Sequence, residues 1–211
     1  MTLVREPRLH PVPIMSLRPT QITVGMREVD LKRKSWREHP DRKKPEFLGR
    51  HLIPVIWGPK EQFYVIDHHH LALALHRERV QVIATTVVAD LRTLPRAAFW
   101  IYLDNRGWLH PYDAEGRRRS YKDIPKKISE LIDDPYRSLA GELRFAGGFA
   151  KDTTPFSEFL WADFLRRRIK RKLVEDDFDK ALVIGVKLAR GKEAGYLPGW
   201  CGPSDRMDHP K

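Results

Sequence analysis

The tightest constraint on how this chain can fold is a change of period at one tetrapeptide. Ile53-Pro54-Val55-Ile56-Trp57 and Phe63-Tyr64-Val65-Ile66 are β-rich runs separated by the turn residues Gly58-Pro59-Lys60, which predicts a hairpin. Pro54 has no amide hydrogen to donate and is expected to push the first strand toward a sheet edge. Asp67-His68-His69-His70 follows the second run, and from there the apolar spacing becomes helical. Leu71 and Leu75 share a face, with Ala72 and Ala74 as good helix formers. Val80–Val88 returns to strand character. Strand, strand, helix and strand over residues 53–90 predict a compact α+β unit.

A strand that runs straight into a helix leaves the first backbone N–H groups of the helix without acceptors, at the positive end of its dipole. That is a ready seat for phosphate. Asp67 is expected to N-cap the helix by accepting one of those N–H groups. Imidazoles at His68, His69 and His70 add proton transfer, adjustable charge or metal ligation near neutral pH. The simpler reading is that Asp67 only caps and the histidines are exposed residues of the first turn. Three adjacent histidines behind an acid at a strand-helix junction favour a functional reading. Consecutive helical side chains diverge, so the triplet cannot surround one ion. A metal site would need Asp67 together with a remote carboxylate such as Glu28.

Around this unit, residues 1–15 read as a flexible arm. Leu17–Gly25 reads as a turn into a short strand ended by Gly25. Residues 30–46 are polar and basic, with room for a short helix before Phe47-Leu48. The second half is mainly helical. Asp123–Leu131 and Tyr136–Phe145 are short candidates, the latter stopped by Gly147-Gly148. Thr154 as N-cap and Pro155 at the first helical position start another, with Phe156, Leu160 and Phe164 as its stripe. A last helix carries Phe178, Leu182, Val186 and Ala189 and ends at Gly191. The expected organisation is a working domain over 16–92, a mainly helical extension over 93–195 packed on it, and a tail over 196–211.

Lys and Arg outnumber Asp and Glu by 39 to 28, a net charge of +11, which favours an anionic partner such as nucleotide or nucleic acid. Two segments concentrate this charge. Arg117-Arg118-Arg119 follows the turn Asp113–Gly116, flanked by Trp108 and Tyr112. Arg166–Lys172 places six cations in seven positions. Arg117, Arg118, Arg119, Arg167 and Arg171 are the candidates for nucleic-acid contact. The competing reading of the second segment is a solvated helix end paired with Glu175, Asp176 and Asp177. Trp100, Trp108, Tyr112, Trp161 and Trp200 fit a core better than a base-stacking platform. Apolar runs break well before about 18 residues, so no membrane helix is expected. The first ten residues lack a hydrophobic signal core, and a cytoplasmic location is the expectation. The single cysteine, Cys201, excludes an internal disulfide and a multi-cysteine zinc site.

Several words together carry a family resemblance. Gln21-Ile22-Thr23-Val24-Gly25, Ile53-Pro54-Val55-Ile56 and Tyr64-Val65-Ile66-Asp67-His68-His69-His70-Leu71-Ala72 resemble the ParB/sulfiredoxin superfamily. Within it, the sequence is most similar to the divergent ParB-like nuclease group. Asp134-Pro135-Tyr136-Arg137-Ser138-Leu139-Ala140 and Glu158-Phe159-Leu160-Trp161-Ala162-Asp163-Phe164 also resemble that group, so the likeness covers roughly residues 16–185. It implies a small mixed sheet with helices and a strand-helix turn that holds nucleotide phosphates. In the superfamily the turn commonly reads Asp-Gly, then a polar residue, then Arg. Asp67 and His69 match; His68 stands at the Gly position and His70 at the Arg position. The missing Gly restricts backbone approach to phosphate, and His in place of Arg makes the clamp pH-dependent. Sulfiredoxin chemistry needs a cysteine in the turn, which this chain lacks. A chromosome-partitioning ParB is not expected: those proteins carry a helix-turn-helix reader after the nucleotide domain, and Ser138–Lys151, with Gly147-Gly148 between two helical stretches, only faintly suggests one.

The resulting expectation is an enzyme acting on nucleotides or nucleic acid, with Asp67, His69 and His70 as catalytic residues. His68, His69, His70, Gln21 and Lys32 would bind phosphate, and Asp67 with Glu28 would hold magnesium or manganese. The turn has no serine, threonine or cysteine nucleophile, so water or a substrate hydroxyl would attack directly. Two further readings stay open: a nucleotide-dependent small-molecule kinase resembling free serine kinases, and a nucleotide-gated DNA-binding module without turnover.

Overall fold

The computed structural model describes residues 9–40 and 52–203. Residues 1–8 of the expected arm, the basic stretch after Pro40 and the end of the tail lie outside these residues, whereas the rest of the arm over 1–15 is ordered as a strand and a 3-10 turn. In chain order the first elements are β1 (Leu9–Pro13), β2 (Arg18–Pro19), β3 (Thr23–Val24), helix α1 (Met26–Glu38), β4 (Ile53–Gly58) and β5 (Gln62–Val65). Helix α2 (His69–Arg77), β6 (Val82–Asp90), helix α3 (Arg96–Asn105) and β7 (Ile132–Asp133) follow. The fold is α+β. A mixed sheet has the order β1-β6-β4-β5-β2, and β3 and β7 form a separate parallel pair. The chain divides into two compact units, Met1–Asp133 and Asp134–Lys211. Helix α3 and the segment up to Asp133 therefore belong to the first unit, beyond the 92/93 division expected from the sequence.

The expected hairpin forms, with Val55 opposite Val65 and Ile56 opposite Tyr64. Side chains alternate between faces, so Ile53, Val55 and Val65 join one core with Leu73 and Leu75 of α2. Ile56 and Tyr64 join another with Phe99 and Leu103 of α3. Both faces of β4 are covered, which is why Ile53–Trp57 reads as a continuous apolar run. β4 is central, not an edge, contrary to the expectation from Pro54: it pairs β5 on one side and β6, in parallel, on the other. The proline is tolerated because it precedes the registered β4–β5 ladder, and its carbonyl still accepts the Ile66 N–H at 3.1 Å. Burying Leu73 and Leu75 at 1% exposure each contributes roughly 1.5–3 kcal/mol apiece.

Helix α1 is longer than its weak apolar period suggests. Only Val29 of this helix is buried. Charge does much of the rest: Arg33 Nε and Arg37 Nη2 both donate to Glu78, just past α2, at 2.8 and 2.7 Å. The candidate helix over Asp123–Leu131 is instead two 3-10 turns, Tyr121–Asp123 and Ile128–Glu130. Pro125 between them cannot continue a helix.

The second unit is helical: α4 (Pro135–Phe145), α5 (Ser157–Arg166), α6 (Arg171–Asp176) and α7 (Phe178–Ala189). Trp161, Leu139, Leu143, Phe164 and Leu165 form its core. Asp134 caps α4 by accepting the Tyr136 N–H at 2.9 Å, with Pro135 in the first turn. Helix α5 starts later than Thr154-Pro155 predicted. Asp152 takes the Thr154 N–H at 2.7 Å and Ser157 N–H donates to the Thr154 carbonyl, so these residues form a turn before the helix. Phe156 then serves as a left-handed N-cap.

The Asp67–His70 turn

The chain leaves the sheet after Ile66 and turns on His68, whose backbone is left-handed at φ 64°, ψ 27°. A non-glycine residue there costs on the order of 1 kcal/mol. This is the position at which the resemblance calls for Gly. Asp67 stabilises the turn locally: its Oδ1 accepts the N–H of His68 itself at 2.6 Å. It does not cap the helix from the flank as expected, because His68 occupies the N-cap and makes no side-chain cap bond. The first intrahelical bond runs from Ala72 N–H to the His68 carbonyl at 2.9 Å. The amides of His69, His70 and Leu71 thus lie in the first turn, with no acceptor within the helix.

The three histidines face three different surroundings, since successive helical side chains are rotated by about 100°. His69 is 3% exposed and His70 7%. His69 Nε2 accepts the Thr20 N–H at 3.1 Å, and His70 Nε2 accepts the Gly25 N–H at 3.0 Å. Each ring is therefore a neutral acceptor with its proton on Nδ1. Burial pushes His69 down to about 3; the Val65 carbonyl opposes that shift, and the neighbouring His68 and His110 reinforce it. The Thr20 hydroxyl donates to the Val65 carbonyl at 2.8 Å. Two imidazoles thus bolt the segment from Thr20 to Gly25 against the start of α2. Gln21 belongs to the same buried polar layer, and its Nε2 donates to the Thr23 carbonyl at 2.6 Å.

His68 is exposed. Its Nδ1 lies 3.1 Å from the Leu52 carbonyl, an atom that can only accept, so Nδ1 carries the proton and Nε2 is left open. Asp67 is likewise exposed. Glu28 Oε2 is 3.6 Å from His70 Nε2, and Lys32 Nζ is 3.4 Å from Glu28 Oε1. Lys32 is held by a carboxylate on its own helix. Among the described residues no group of three or more His, Cys, Asp or Glu side chains is placed to hold a metal ion.

A family model described as "Putative ParB-like nuclease" matches residues 10–167, about three-quarters of the chain. The chain belongs to this family. It is also similar to the crystal structure of protein Atu1540 from Agrobacterium tumefaciens. The two are 56% identical with a TM-score of 0.87, over 93% of this chain and 99% of that one. Among functionally curated proteins, no match is found.

The ParB-like words of the second unit lie mostly in its interior, with Leu160 exposed. Asp134 is 1% exposed, and its Oδ2 accepts from Arg166 Nη2 at 2.6 Å. Burial pushes the Asp134 carboxyl up while Arg166 and the surrounding amides pull against it. The Tyr136 hydroxyl donates to the Ile169 carbonyl at 2.6 Å. Of the basic segment 166–172, Arg167 pairs with Asp163 at 2.7 Å, Arg168 with Glu193 at 3.4 Å and Arg171 with Glu175 at 2.7 Å. Of the acids expected to pair with this segment, these contacts include only Glu175. In the other segment Arg118 pairs with Asp104, and Arg119 with Asp113 at 2.6 Å. Arg117 is exposed; its backbone N–H donates to Asp113 Oδ1 and its carbonyl accepts the Asp113 N–H. Trp100 and Trp161 are core residues. No helix among the described residues is long and apolar enough to cross a membrane.

Sequence reasoning missed Thr20 and Gly25, the amides that engage the two buried rings. Neither carries a chemically suggestive side chain for that role, so only the helical period of 3.6 residues per turn hinted that the histidines must point apart.

Proposed function

We propose that this ParB-like protein is a phosphate-handling enzyme acting on nucleotides or nucleic acid at the Asp67–His70 turn, with Asp67 and His68 as the working side chains. The observation that supports this most is the division of labour at the turn. His69 and His70 are consumed in holding the α2 N-terminus rigid, while Asp67 and the open Nε2 of His68 lie at its exposed edge. Phosphate would sit on the first-turn amides, and His68 would exchange a proton with the attacking water or hydroxyl. A phosphate at this position meets the Asp67 carboxylate. A divalent cation, magnesium or manganese, would neutralise that repulsion. One carboxylate plus substrate phosphates is an ordinary environment for such an ion, so Asp67 fits it; Glu28, engaged by Lys32 and near His70, is the less available ligand.

The burial of His69 and His70 also supports a binding module without turnover. One experiment separates the readings. The protein is incubated with magnesium or manganese and labelled nucleotides, single- and double-stranded DNA, and small alcohols including serine. Cleaved DNA or hydrolysed nucleotide, lost in Asp67→Asn and His68→Gln, is the expected result. Phosphorylated alcohol would assign a kinase, and bound but unconsumed nucleotide a binding module. Neither binding nor turnover would refute the proposal.

A further inference from the structure

A second feature of the first unit is independent of the histidine turn. At the hairpin end of β4–β5, and so at the opposite end of β5 from Asp67, a partly enclosed cavity of about 240 Å³ is lined by Arg18, Lys60, Gln62, Tyr64, Arg96 and Lys126, with Pro59 at its rim. Four of these are cations and none is a carboxylate. Like charges converging on one hollow repel one another, and proteins ordinarily relieve that with neighbouring acids. Here, among the described residues, none of the four forms an ion pair. Arg18 Nε donates to Gln62 Oε1 at 2.8 Å, a neutral partner, which fixes the guanidinium and leaves its two terminal nitrogens unengaged. Several other arginines of the unit, Arg33, Arg37, Arg92, Arg118 and Arg119, have acidic partners instead.

The cavity is built, not incidental. Arg18 lies opposite Tyr64 in the β2–β5 register. The Tyr64 ring is held between Phe99 and Trp100, at centroid distances of 4.6 and 5.5 Å. Gly58 makes room for it, since a Cβ there would lie 2.6 Å from the Tyr64 ring and 2.8 Å from Phe99. Arg18 and Arg96 are close enough for their charges to act on the Tyr64 phenol. That group, held protonated by burial, can donate to an anion.

We propose that this cavity binds a compact polyanion of the pyrophosphate class, at a site separate from the Asp67–His70 turn. Its volume is below the roughly 300–1,000 Å³ typical of pockets for drug-sized ligands, so it suits a diphosphate group better than a whole nucleotide. Four uncompensated cations more than balance pyrophosphate near neutral pH, where it still carries its last proton, and Arg18 offers two parallel donors to phosphate oxygens.

Inorganic pyrophosphate is titrated calorimetrically at low salt into wild type, Arg96→Gln/Lys126→Gln and Asp67→Asn/His68→Gln. Arg96 and Lys126 are exposed and unpaired, so their double variant should keep the wild-type melting temperature. The expected result is binding by wild type, at least tenfold weakening in Arg96→Gln/Lys126→Gln, and little change in Asp67→Asn/His68→Gln. A Lys60→Gln variant should weaken binding several-fold on its own. No binding by wild type, equal binding by the cavity variants, or loss only in the turn variant would overturn the proposal. Competition by ADP would identify the diphosphate of a nucleotide as the source, and its absence the free anion; both uphold the site. The fate of the turn as an enzyme centre is read separately, from turnover.

Discussion

His69 makes a prediction whose size follows from its surroundings. The ring is buried and neutral, with its pKa pushed down to about 3, whereas an unfolded histidine titrates near about 6.5. Below that value the unfolded chain takes up a proton that the folded one refuses. Stability contributed by the neutral ring is therefore complete above about pH 6.5 and is lost as pH falls toward about 3. At about pH 5 the unfolded state gains a factor of roughly 30, or about 2 kcal/mol, and this figure depends only on the folded value lying well below 5. His69→Gln keeps an oxygen able to accept the Thr20 N–H but cannot titrate. Urea unfolding followed by far-UV circular dichroism at about pH 7.5 and pH 5 should show the variant losing about 2 kcal/mol less than wild type over that interval. At the higher pH the variant should be weaker by about 1–3 kcal/mol, for an imperfectly replaced buried hydrogen bond. Equal losses in both proteins, or an NMR titration of the His69 ring near the ordinary histidine value, would refute the reasoning.

The buried Asp134–Arg166 pair should be far costlier to break than the surface pairs beside it. Arg166→Leu is expected to destabilise by about 3–5 kcal/mol, because it strands a buried carboxylate. Arg167→Ala and Arg171→Ala should stay within about 1 kcal/mol of wild type, and thermal melts distinguish the two classes. At His68 the left-handed backbone should tolerate Gly with a change of about 1 kcal/mol or less, while β-branched Val costs about 1–3 kcal/mol. Comparable melting temperatures for His68→Gly and His68→Val would argue against the left-handed turn.

The sequence exposed the parts of the fold that rest on local rules. The β4–β5 hairpin, the switch to helix after Asp67 and the helices over Tyr136–Phe145 and Phe178–Ala189 are all written in period and punctuation. What it hid depends on partners remote in the chain. Pro54 sits in a central strand because the pairing register happens not to need its amide on the β5 side. Helix α1 is held by Glu78, some forty residues away, so its own pattern is faint. Helix α5 begins late because Asp152 and Thr154 form a turn ahead of it. The candidate site divides along the same line: Asp67–His70 was visible as a unit, but which histidine faces solvent was not. The cavity cations Arg18, Lys60, Arg96 and Lys126 are scattered over more than a hundred positions, and no spacing rule joins them.

The histidine word also shows why a strained turn can be kept without glycine. A glycine at residue 68 would relieve the left-handed backbone but remove an imidazole from the exposed edge. The strain is of order 1 kcal/mol, and the two hydrogen bonds from Thr20 and Gly25 amides to His69 and His70 can each offset about as much. The buried rings thus over-determine the helix start and allow a side chain at 68 that the local backbone disfavours. Because the His69 ring acts as a neutral acceptor that burial holds well below the usual histidine range, that rigidity depends on pH: acid strong enough to protonate it would loosen the turn and its anchorage at Thr20 together. Phosphate binding at the first-turn amides and the anchoring at Thr20 should therefore fail together in the same acidic range.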